Sequence, residues 1–152
     1  MMIRAHRALA FMIAFLAVAA AQAAEVAGMV KISRGEAAIE RAGERLPATV
    51  GTPVLATDRL RTGGDGALGV TLRDNTLLSA GPNSLIVIEK FAFNSSTLEG
   101  GMSVGIRKGT LAVASGKIAK RTPESVDFHT PTSVLGVRGT EFLVEVIGGS
   151  DE

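Results

Sequence analysis

The stretch TPTSVLGVRGTEFLVEV, residues 130–146, decides how this chain is read. Pro131 fixes its own φ and lacks an amide donor, which suits the first residues or the edge of a strand, so 130–137 reads as extended. Phe142, Val144 and Val146 then alternate with Glu141, Leu143 and Glu145, the period of a strand packed on one face. Arg138-Gly139-Thr140 interrupts the apolar pattern. A glycine inside a strand pattern marks a bulge or a close backbone approach. An arginine beside it is expected partly inside, where five fixed donors need a carboxylate or carbonyls. Asp58 is the first candidate partner and Glu141 the second. A β-bulge with a structural ion pair is one reading; a ligand-binding arginine is its rival.

Outward from this stretch, glycine turns cut the chain into short extended pieces. Residues 26–33 read as a strand, and 36–41, too short for a stable helix, as its hairpin return. Pro47 and Pro53 mark 46–57 as a loop or an edge. Residues 58–62 and 67–72 are strands around the turn cluster Gly63-Gly64-Asp65-Gly66. Residues 76–80 and 85–93 follow, with Ile86, Ile88 and Phe91 or Phe93 expected in the core. Residues 94–101 are polar and glycine-ended, the expected flexible loop. Residues 102–106 and 110–114 read as a hairpin across Arg107-Lys108-Gly109. Residues 115–122 are basic and weakly patterned, 125–130 alternate, and 148–152 form a frayed tail. Turn signals every 8–12 residues, about the spacing of all-β folds, with no sustained helical period, give an all-β expectation: a solenoid-like or sandwich-like stack of short, mostly antiparallel strands.

The amino terminus sets the compartment. Arg4, His6 and Arg7 precede the uncharged run ALAFMIAFLAVAA and the small-x-small triplet Ala21-Gln22-Ala23, the order of a secretory signal peptide. The division expected is a signal helix over 1–23, one domain over 24–147, and the tail, with a periplasmic or secreted mature chain and no stable membrane span after cleavage. Cleavage removes Arg4 and Arg7 and no acid, taking the formal net charge from +1 to −1. No basic stripe is left for nucleic acid.

Few residues suggest chemistry. The chain has no cysteine, tryptophan or tyrosine. One histidine, His129, remains after cleavage, on the polar face of a short strand. Common zinc sites need more His or Cys ligands than this, no motif sets a nucleophile beside His129, and a single Gly-Gly-Asp-Gly reads as a β-turn. No catalytic residue, metal or cofactor is expected, and the protein is not expected to be an enzyme. Asp65 and Asp74 sit in turns and read as solvated. Phe91, Phe93, Phe128 and Phe142 lie in strands, where core packing is the default over a sugar platform.

Residues 130–146 also resemble the closing signature of the FecR-like domain, a periplasmic all-β module. GTPVLATDRLRTG, residues 51–63, is similar to the family's G-x-x-L-x-x-G-D-x-I-x-T-G element, with Val54 at the first apolar position and Thr57 where glycine is more usual. The resemblance spans about residues 26–146 and favours the solenoid-like stack. It singles out Asp58, Thr62, Gly63, Arg138, Gly139 and Thr140 as motif residues. In the family such domains commonly form the periplasmic part of transmembrane sigma regulators, which receive a signal from an outer-membrane transporter. A signal peptide from residue 1 and an end at Glu152 argue for a stand-alone exported domain, without the anti-sigma segment or the transporter-docking extension. The resemblance thus implies a non-catalytic module that senses signals or binds another envelope or outer-membrane protein. The candidate surfaces are an edge strand near the termini and the loop of Asn94, Ser95, Ser96, Thr97 and Glu99. A soluble periplasmic receptor for a small ligand or glycan is the alternative.

Overall fold

The computed structural model describes residues 24–149, so the expected signal helix over 1–23 and most of the 148–152 tail lie outside it. Among the described residues the chain is mostly strand: β1 (Val26–Arg34), β2 (Ala37–Arg41), β3 (Glu44–Pro47), β4 (Pro53–Leu55), β5 (Arg59–Thr62), β6 (Ala67–Leu72), β7 (Leu77–Ala80), β8 (Leu85–Phe93), β9 (Gly100–Ala114), β10 (Val126–His129), β11 (Val134–Gly136) and β12 (Glu141–Val146). One short helix, α1 (Lys117–Arg121), and a 3-10 turn (Pro123–Ser125) separate β9 from β10.

The strands form one curled sheet, antiparallel except where β10 lies parallel to β9. It has two halves. In the first half the order is β4-β1-β6-β7-β9-β12, and in the second β3-β2-β5-β8-β9-β10-β11. The central strands of the halves correspond, because the chain makes four bent passes: β1 into β2, β5 into β6, β7 into β8, and β9 alone.

All four passes bend at one corner, and hydrogen bonds run along it. Glu36 N donates to Asp65 Oδ1 at 3.0 Å, and Gly63 N to Glu36 O at 2.9 Å. Thr62 Oγ1 donates to Gly81 O at 2.6 Å and accepts Ser84 N at 2.9 Å. Ser84 Oγ accepts Thr110 N at 2.9 Å, and Gly81 N donates to Thr110 O at 3.0 Å. The backbones lie so close that a Cβ on Gly66 would overlap Glu36 O. The cluster expected as a simple turn is the glycine-rich part of this corner.

Gly109 corrects the hairpin expected over 102–114. It takes φ +83° and bends the chain without reversing it, so β9 is one fifteen-residue strand. Its first part pairs with β8 and β10, and its last part with β7 and β12. The segment expected to be unpatterned contains α1. This helix has Gly116 at its N-cap and no capping side chain of its own. Asp74, expected to be solvated, is fully buried and supplies the cap from the β6–β7 turn. Its carboxylate accepts Thr76 N at 3.0 Å, Thr76 Oγ1 at 2.9 Å and Ile118 N at 3.2 Å.

One apolar core joins the halves. Val30, Leu68, Val70 and Leu78 of one half belong to the same buried cluster as Ile39, Leu60, Ile86, Ile88 and Val104 of the other. Phe128 and Phe142 meet edge to face across it, centroids 5.1 Å apart, an arrangement the ring quadrupole favours. Phe91 and Phe93 are both buried. A register shift between Ile88 and Lys90 changes which alternate residues point inward, so Ile86 and Ile88 are followed inward by odd-numbered residues.

Candidate functional site

Asp58 is fully buried, and its partner is Arg41. Arg41 Nε donates to Oδ1 at 2.8 Å and a second guanidinium nitrogen to Oδ2 at 2.7 Å, the two-point fork that suits a carboxylate. Leu55 N adds a 2.8 Å bond to Oδ2. Hydrogen bonding to Asp58 raises the Arg41 pKa above its ordinary value, opposed by burial and reinforced by Coulombic attraction. The β2–β5 register sets the pair: Glu40 lies opposite Arg59, so Arg41 comes next to Asp58. Thr57 precedes this carboxylate at φ +77°, which accounts for the glycine usual in the resembled element. Thr62 and Gly63 belong to the corner, where Thr62 is 4% exposed.

Arg138 does not join Asp58. The expectation of a buried Arg138 is overturned: it is exposed, as are Gly139 and Thr140. The three residues form the crossing from β11 in the second half to β12 in the first, with Gly139 at φ +68°. It is a turn between strands of opposite halves, in place of the expected bulge. Val137, buried at 5%, is the last inward residue, and the turn sends Arg138 outward. Thr140 contributes its carbonyl, which accepts Ser115 N at 3.1 Å and Ser115 Oγ at 2.8 Å.

Among the described residues this crossing leaves two edges open: β11 pairs only with β10, and β12 only with β9. The Thr140–Ser115 bond fixes the ladder phase. Because bonded and non-bonded pairs alternate in an antiparallel ladder, Phe142, Val144 and Val146 turn their amides to β9. The backbone groups of Glu141, Leu143 and Glu145 therefore point away from the sheet. The other two edges are different: β3 carries Pro47 and β4 carries Pro53, which blunt them. Beside β12 lies an open groove of about 650 Å³, lined by residues including Thr130, Pro131, Leu135, Leu143, Val146 and Ile147. Around it Val134 is 75%, Leu143 67% and Ile147 88% exposed.

The loop after β8 closes on itself. Asn94 Oδ1 accepts Ser96 N at 2.9 Å and Thr97 N at 3.2 Å, Asn94 N donates to Glu99 O at 2.9 Å, and Thr97 Oγ1 accepts Glu99 N at 3.3 Å. Residues 94–99 are all exposed, while Gly100 and Gly101 already belong to β9. These residues present side chains at a tight hairpin tip, with the amides of Asn94, Ser96, Thr97, Leu98 and Glu99 all bonded within the loop.

A charged cluster missed in the sequence lies on the outer face of the second half. His129 sets Nε2 2.9 Å from Glu89 Oε2 and Nδ1 3.3 Å from Asp127 Oδ2. Arg107 donates to Glu89 at 2.8 Å and Ser103 Oγ to Asp127 at 2.7 Å. The Ser103 hydroxyl is turned to the carboxylate, so the cluster makes no nucleophile–base pair. It clasps β10 onto β9 and β8. The strand register that brings these residues together is not visible in their spacing along the chain. Among the described residues no group of three or more His, Cys, Asp or Glu side chains is arranged to hold a metal ion, and no helix is long and apolar enough to cross a membrane.

A scan against protein families matches residues 58–152 to the FecR protein family. The match opens on Asp58 and takes in every strand from β5 onward. No curated protein and no solved structure matches the chain.

Proposed function

The chain belongs to the FecR protein family, and from that premise we propose that it is an exported, non-catalytic module that binds or senses another envelope protein through the edges opened by residues 130–146. The observation that carries this reading is the contrast between edges. Those at β3 and β4 carry proline, whereas among the described residues Leu143 and Glu145 of β12 present unpaired backbone groups beside apolar side chains. Unpaired edges are a template for a further strand, and main-chain hydrogen bonds to such an edge are an established source of affinity. Export rests on the signal sequence of residues 1–23, with cleavage behind Ala23 and a periplasmic or secreted product. One domain over 24–147 is supported by the pairing of β1 with β6 and β2 with β5, which ties the residues ahead of the family match into its sheet.

The test is affinity capture of the tagged chain from intact envelopes, read by mass spectrometry. A specific exported or outer-membrane protein is the expected catch, and it is lost when proline replaces Leu143. Recovery of no partner, together with tight binding of a purified small ligand or glycan, would replace this reading with that of a receptor.

A further inference from the structure

The edge at β12 carries a charge pattern that defines what fits it. Glu141, Leu143 and Glu145 share one face and are all exposed. They are also the residues whose backbone groups point away from β9. The same positions thus offer the main-chain bonds and the side-chain code. Neither glutamate faces a basic residue across the β9 register, where Glu141 lies opposite Ala114 and Glu145 opposite Thr110. The groove runs along this edge, and Leu135, Pro131 and Val146 form an apolar part of a lining that also includes Thr130, Thr132 and Ser133; alternate side chains of an added strand would point into it.

The geometry points to an extended segment of the pattern basic–apolar–apolar–apolar–basic as the partner of β12. This rests on the edge-binding reading above and names the chemistry of the segment. Its outer basic residues pair across strands with Glu141 and Glu145, and its central residue packs on Leu143. Its two inward residues enter the groove against Pro131, Leu135 and Val146. Opposite charges on directly facing residues stabilise a strand pair, and like charges there oppose it. An acidic segment is therefore disfavoured at this edge.

The experiment measures binding of short synthetic peptides to the purified chain: one of the proposed pattern, one with the basic residues replaced by glutamate, and one scrambled. The basic peptide is expected to bind about tenfold more tightly than the acidic one, from two reversed cross-strand pairs. The preference should weaken with added salt, and it should reverse in the E141K/E145K double variant. Leu143→Pro should abolish binding while the melting temperature stays near wild type, because the amide removed is not used by β9. N-methylation of the peptide provides a control that leaves the protein unaltered. Methyl groups on the amides facing β12 should abolish binding, and those on the alternate amides should not. Binding blocked by proline at Leu143 but indifferent to peptide charge overturns the charge code and leaves edge binding standing. The charge code is equally overturned if no peptide binds while envelope capture still depends on Leu143. Capture that is indifferent to Leu143→Pro overturns both readings.

Discussion

Arg41 holds a fully buried carboxylate at two points, whereas Arg138 stands in solvent. Arg41→Ala leaves Asp58 buried and unpaired and is expected to cost roughly 3 kcal/mol. That is the lower end for broken buried pairs, because Arg41 itself retains some solvent. Arg138→Ala is expected to melt like wild type, and thermal denaturation of both variants decides the matter. Thr57 offers a gain. A β-branched side chain at φ +77° is strained, this one is exposed, and glycine adopts the conformation freely. Thr57→Gly is expected to raise stability by up to about 1 kcal/mol, the relief of strain exceeding the added chain entropy. A lower denaturation midpoint in that variant would show that the conformation is not strained. Asp58 was legible in the sequence as a special carboxylate because it opens a strand inside a motif. Its partner was not, because the pairing of Arg41 depends on β2 returning beside β5.

Among the elements, the alternation of Phe142, Val144 and Val146 survives as read, with Val144 buried and the other two packed against the core. The prolines at 47 and 53 also lie on edges. Around β9 the sequence misleads, because Gly109 carries the mark of a turn and its left-handed φ serves a bend instead. Pattern alone does not tell a reversal from a bend; what decides is Ser84, twenty-six residues from Thr110, closing on the bent backbone. Thr62→Val tests the corner from another strand. It removes the hydroxyl that satisfies Gly81 O and Ser84 N in a buried place, at an expected cost of about 1–3 kcal/mol. An unchanged denaturation midpoint would mean that the corner does not depend on this side chain. Asp74 departs from its expected solvation for the same reason. A turn carboxylate is ordinarily solvated, and only the later return of α1 over the β6–β7 turn buries it.

The outer faces of the two halves differ. The second carries linked charged and polar side chains, with Glu40 between Arg59 and Arg61, and Glu89 between Arg107 and the His129 ring. Across the first, the register aligns Leu143, Ala112, Ser79, Gly69 and Ile32, a row without charge that begins at the open edge. Short strands and all-β character were legible from turn spacing, but the curl into four bent passes was not, since it arises from contacts between distant turns. Export is tested by sequencing the amino terminus of the protein from the envelope fraction, where Ala24 is expected first; an intact chain held in the inner membrane would contradict it. The proposed role of β12 is that of an open edge used for binding, and residue-resolved amide hydrogen exchange, measured on the chain alone and with its captured partner, tests it. Alone, the amides of Phe142, Val144 and Val146 should exchange slowly and those of Glu141, Leu143 and Glu145 fast, and the partner should slow the second set. Slow exchange of Glu141, Leu143 and Glu145 in the free chain, or no change when the partner binds, would contradict that role.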